Sequence, residues 1–95
     1  MPILKINVTT AATLVQASQD RKWSILQNLS DTDIYVALDG SSDVTGAAGA
    51  KPGIKLSAQG GIAAGGEGEF NINFSGPIYA IHEGTGSKVL TLQYV

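Results

Sequence analysis

Apolar and polar side chains alternate with a period of two along most of this chain, and the spacing of an amphipathic helix is nearly absent. The clearest run is residues 69–75. Phe70, Ile72 and Phe74 fall on one face and Glu69, Asn71, Asn73 and Ser75 on the other, as a half-buried antiparallel strand requires. Lys88–Tyr94 repeats the pattern, with Leu90, Leu92 and Tyr94 opposite Val89, Thr91 and Gln93. Residues 22–29 set Trp23, Ile25, Gln27 and Leu29 against Ser24, Leu26 and Asn28. Residues 34–38 are apolar on both faces and rich in β-branched and aromatic side chains, which places them centrally in a sheet. Further strands are expected at Ile3–Val8 and at residues 13–17, 53–57 and 77–82. About eight short strands separated by turn residues imply an all-β fold. We expect one small antiparallel β-sandwich, jelly-roll, immunoglobulin-like or barrel-like, with residues 1–10 as an N-terminal arm or edge strand and residues 11–95 as the domain.

The turns suggest how the strands connect. Residues 30–33 carry Ser, Asp and Thr side chains that bond their own backbone, so residues 23–29 and 34–38 read as a hairpin. Ser75-Gly76-Pro77, and Gly84 and Gly86 within residues 83–87, supply turn chemistry for the last three strands. Those strands are expected to form a meander. Residues 40–68 differ in kind: nine of the 29 are Gly and six are Ala. Only Ile54 and Leu56 look buried there. The remainder reads as two long Gly/Ala-rich loops, residues 39–52 and 58–68, of a length that is usually functional or mobile.

Composition narrows the function classes. In 95 residues there are six Lys plus Arg, eight Asp plus Glu, a formal charge of −2 and no cysteine. Without a cationic cluster, nucleic acid is not an expected partner. The longest apolar run, residues 34–38, is far short of the roughly 20 residues of a membrane helix, so no membrane partner is expected. No basic leader precedes an apolar stretch, and synthesis without export through the Sec route is expected. The lack of cysteine removes disulfides, thiolate metal sites and a Cys nucleophile.

Candidate chemistry is sparse. His82 is the single histidine, and a base or a zinc site needs partners it lacks in the sequence. It reads as a strand-end residue. Glu83 beside it points to the opposite face. Asp31 with Asp33, and Asp39 with Asp43, pair hard oxygens without the ligand spacing of a calcium loop, so they read as turn-capping side chains. Glu67 and Glu69 have nothing bulky nearby to tune an acid–base pair. Gly65-Gly66-Glu67-Gly68 lacks the Lys-Ser/Thr ending of a phosphate loop. Sequons at Asn7, Asn28 and Asn73 read as chance matches. Neither an enzyme nor a cofactor is expected. Trp23, Phe70, Phe74 and Tyr94 are expected in the core. Tyr35 and Tyr79 suit an intersheet edge or an interface, and exposed together they would favour sugar stacking.

The order of these signals carries a resemblance. An Ala/Thr-rich start leads to Arg21-Lys22-Trp23-Ser24-Ile25-Leu26-Gln27-Asn28, then a polar turn into Ile34-Tyr35-Val36. Gly53-Ile54-Lys55-Leu56, a Gly-rich passage and Gly76-Pro77-Ile78-Tyr79-Ala80-Ile81 follow, before a Gly-Thr-Gly turn and the last strand. From about residue 10 to 95 this resembles small all-β virion proteins of tailed bacteriophages, a group that includes capsid decoration (cement) proteins and head or tail accessory proteins. The resemblance implies no catalytic residues. It implies a protein made in the cytoplasm of a bacterial host and carried on the capsid surface of the virion.

Such a protein is expected to self-associate, as a trimer or another symmetric cluster, and to bind the major capsid protein or another virion protein across capsomer junctions. The contacts are expected from the first strand (Ile3, Leu4, Lys5, Ile6), from the loops (Asp39, Val44, Ala47, Lys51, Pro52, Ile62) and from Tyr35 and Tyr79. The alternatives are a tail or fibre module that binds a receptor or carbohydrate, and a head–tail joining protein.

Overall fold

The structure, a computed structural model, describes residues 3–22, 24–38, 40, 42–58, 69–72 and 75–95. Among them are eight strands: β1 Ile3–Val8, β2 Thr13–Gln16, β3 Ser24–Asn28, β4 Ile34–Ala37, β5 Ile54–Leu56, β6 Glu69–Ile72, β7 Ile78–His82 and β8 Lys88–Tyr94. They form two four-stranded antiparallel sheets, one in the order β1-β8-β3-β6 and the other β2-β7-β4-β5.

The pairing is nested. The first strand pairs with the last, β2 with β7, β3 with β6 and β4 with β5. The chain is thus one long antiparallel ribbon rolled up, and the lateral pairs β3–β8 and β4–β7 hold the roll closed. This is the strand order of a jelly roll, one of the arrangements the alternation allowed.

The core lies between the sheets. Leu4, Leu92 and Leu26 are in register across β1, β8 and β3; Leu56, Ile34 and His82 are in register across β5, β4 and β7. From these rows Leu26, Leu92, Ile34 and Leu56 make a continuous apolar cluster with Val8, Val15, Val36, Ile78, Ala80 and Leu90, against which Leu4, Ile6 and Tyr94 pack. β1 is an edge strand, yet its Val8 is fully buried. Deleting residues 1–8 therefore removes part of the core and does not leave an intact domain.

Two connections differ from expectation. β3 and β4 are not a hairpin, because each is central in its own sheet and both of its edges are taken by other strands. Residues 29–33 instead carry the chain across from one sheet to the other. β6, β7 and β8 are not a meander either, since β7 lies in the opposite sheet from β6 and β8. Turn residues specify a reversal but not the sheet in which the next strand lands. Only β4 and β5 are neighbours both in sequence and in a sheet.

The inward face of β3 is also the reverse of that expected. Ser24, Leu26 and Asn28 are buried, while Ile25 and Gln27 are half-buried on the outside and Leu29 is exposed. Asn28 makes this possible. Its Nδ2 donates to the carbonyls of Thr32 (2.8 Å) and Leu56 (2.9 Å), and its Oδ1 accepts from the Ser30 N–H (2.9 Å) and Oγ (2.7 Å). A buried amide with its bonds made costs little, whereas an unsatisfied one is expensive. Trp23 and Phe74, expected in the core, lie outside the described residues, and of Phe70 the backbone pairing in β6 is described.

Candidate functional site

The β4–β5 connection builds a concavity. Residues 42–53 close on themselves: the Thr45 N–H donates to the Lys51 carbonyl (2.8 Å), and the Gly53 N–H to the Thr45 carbonyl (3.1 Å). The Lys51 N–H also donates to Thr45 Oγ1 at 3.1 Å, and Lys51 Nζ pairs with Asp43 at 3.0 Å. Two close approaches pin this segment. A Cβ on Gly53 would lie 2.8 Å from Val36 N and 2.9 Å from Val36 O, and one on Gly46 would collide with the Glu83 side chain. Glu83 follows β7 on the outward side. The segment therefore packs against β4 and the end of β7. Tyr35, Ala37 and Val44 are buried but stand outside the main core cluster.

Beneath it opens a groove of about 510 Å³, lined by Val36, Ala37, Leu38, Val44, Lys51, Pro52, Gly53 and Ile54. Its walls are short apolar side chains and backbone. Lys51 is the one titratable residue of the lining, and its ammonium is already engaged by Asp43. The pair is exposed, so it orients the loop more than it stabilises it.

Of the contact residues expected from sequence, Val44, Lys51 and Pro52 meet in this groove. Val44 is only 3% exposed, tucked under its own loop, and so lines the groove from within. Ala47 is exposed at the tip of the loop. Ile54, expected in the core, is instead 41% exposed and lines the groove. Ile3 and Lys5 are exposed on β1, whereas Leu4 and Ile6 turn toward the core. Asp39 and Ile62 lie outside the described residues, as does most of the loop over 58–68.

Tyr35 and Tyr79 share the outer face of one sheet on neighbouring strands, Tyr79 opposite Ala37 and Tyr35 opposite Ile81. Tyr79 is half-buried, but Tyr35 is 8% exposed. They do not form a paired aromatic platform.

His82, Asp33 and Asp31 are engaged in holding connections between strands. His82 is buried; its Nδ1 accepts from the Gly84 N–H (3.0 Å), which leaves Nε2–H to donate to the Gly86 carbonyl (2.6 Å). It braces the β7–β8 crossing, where Gly86 has a φ of 70°. Asp33 accepts from the Ala58 N–H at 2.8 Å and lies 3.6 Å from Lys55. Asp31 accepts from Lys88 Nζ at 2.9 Å and from Thr32 Oγ1 at 3.0 Å. These two bonds, with the Lys88 charge behind them, hold the Asp31 carboxyl below the usual range for an aspartate. The two aspartates point to different partners and do not converge, and no group of three metal-ligating residues occurs among the described residues.

Arg21 went unrecognised as a structural residue in the sequence. It is 2% exposed, donates to Gln16 Oε1 (2.5 Å) and to the carbonyls of Ala17 (3.4 Å) and Gly76, and so ties the β2–β3 connection to the β6–β7 connection. Burial lowers its pKa below the ordinary arginine value, offset in part by Tyr94. A lone arginine after a polar stretch carries no pattern that announces this role. No protein-family model, curated protein or solved structure matches the chain.

Proposed function

We propose that this chain is a non-enzymatic structural protein of a tailed-bacteriophage particle, a capsid decoration protein that associates with copies of itself and docks on the outer shell across capsomer junctions. The reading starts from the resemblance carried by residues 21–28, 34–36, 53–56 and 76–81. A jelly roll is compatible with it, since viral capsid domains use that architecture, but lectins use it too and a fold alone does not decide a function.

The observation that favours contact over chemistry is where the polar side chains are spent. His82, Asn28, Arg21 and Asp33 bond their own backbone, while the groove offers short apolar walls. The burial of Tyr35 weighs against the sugar-stacking alternative, which needed both tyrosines exposed. Quantitative mass spectrometry of purified particles tests the proposal. A decoration protein is present in a number comparable with that of the shell subunits. About a dozen copies or fewer would point to a joining ring at one vertex, and absence from the particles would end the proposal.

A further inference from the structure

We infer that β1 is a self-pairing edge, and that two copies of this chain join β1 to β1 antiparallel about a two-fold axis, so that their β1-β8-β3-β6 sheets become one continuous sheet. This goes beyond the proposed particle role and does not depend on it.

In an antiparallel ladder every second residue turns its N–H and C=O toward the neighbouring strand, and the others turn theirs away. Along β1 the inward set bonds β8 over six consecutive residue pairs with no shift of register. The outward set has no hydrogen-bond partner among the described residues. Proteins blunt such edges by shortening or bulging them. The other edges here follow that rule: β2 has a register shift between Leu14 and Gln16, β5 has three residues and β6 has four. β1 is the long, regular exception. Its single charge is Lys5, and Ile3 is 64% exposed on it.

The side chains select the occupant. Leu4 and Ile6 pack on the core but are only half-covered at this flank, so a further strand with apolar residues on the same face completes their burial. A second β1 is such a strand. A two-fold axis normal to the sheet keeps the core faces of both copies on one side, which allows only registers pairing odd with odd and even with even residues. Two of these keep five strand residues paired. One sets Lys5 opposite Lys5, and like charges directly opposite are unfavourable. The other is centred on Ile6 and sets Lys5 opposite Asn7 and Leu4 opposite Val8. We assign this second register. It gives a two-fold contact, where the expectation from sequence was a trimer or another symmetric cluster.

The test uses the full chain. Sedimentation velocity should give a concentration-dependent species of twice the 9.8 kDa protomer mass; a monomer at every concentration, or a trimer, overturns the inference. Asn7 is exposed, so its variants leave the core untouched. Asn7→Glu, placed opposite Lys5 of the other copy, should tighten the dimer, and Asn7→Lys should loosen it, each by about tenfold from two symmetric pairs. Equal effects of both variants would refute the register. Since the chain has no cysteine, mixing Lys5→Cys with Asn7→Cys and adding a short bismaleimide should cross-link the mixture in preference to either variant alone. A mixture no more cross-linked than Lys5→Cys alone would also overturn it.

Discussion

Replacing Asn28 tests whether the corner between the sheets is held by one side chain. Asn28 is 2% exposed and satisfies four groups at once: the carbonyls of Thr32 and Leu56, and the N–H and hydroxyl of Ser30. Asn28→Ala removes the two donors and the acceptor. At about 1 kcal/mol net per neutral hydrogen bond, the loss of four is roughly 4 kcal/mol, and a buried carbonyl left without a donor raises it to about 5. That is a large share of the ~5–15 kcal/mol expected for a native domain, and corresponds to a fall in Tm of roughly 15–25 °C. Asn28→Asp keeps the shape but sets a carboxylate oxygen against two carbonyls, so it should be more damaging than alanine at neutral pH. Urea unfolding followed by far-UV circular dichroism measures both, with a shifted midpoint and an unchanged m-value as the signature. An alanine variant that loses less than about 1 kcal/mol, or an aspartate variant as stable as the parent, would refute the argument that this amide carries the crossing.

Two further outcomes follow from single contacts. Gly53→Ala puts a methyl group within 3 Å of the Val36 backbone, which cannot rotate away, and should cost about 1–3 kcal/mol by the same unfolding assay. Asp31 has a folded-state pKa below its unfolded value, so its contribution is present above the ordinary aspartate range and is lost as pH falls through the lowered pKa. Asp31→Asn should therefore lower Tm slightly at neutral and alkaline pH, leave it little changed in acid below the lowered pKa, and so flatten the acid limb of a Tm-against-pH curve; an unaltered acid limb would show that the Lys88 pair contributes nothing.

The strands were legible because a half-buried strand must alternate, and each of the eight expected runs contains an observed strand. Register within the clearest runs followed from the same rule, as with Leu90 and Leu92 facing inward. Residues 24–29 were ambiguous, since apolar side chains occur at both parities and Asn28 reads as polar until its partners on Thr32 and Leu56 are known. The groove was half-legible: Val44, Lys51 and Pro52 were singled out, but their meeting place depends on Gly53 and Gly46 packing against Val36 and Glu83.

Local alternation, turn residues and the absence of cysteine were enough to determine that this chain makes short antiparallel strands with one apolar face each. Which strand lies beside which was decided only in three dimensions. A turn at Ser30 or Gly84 reverses the chain equally well within a sheet or across the sandwich, and the choice is made by partners far along the sequence, as when β8 takes the place between β1 and β3. The roles of Arg21, Asn28 and His82 belong to the same class, because a buried polar group takes its meaning from the backbone groups that the finished fold brings within reach.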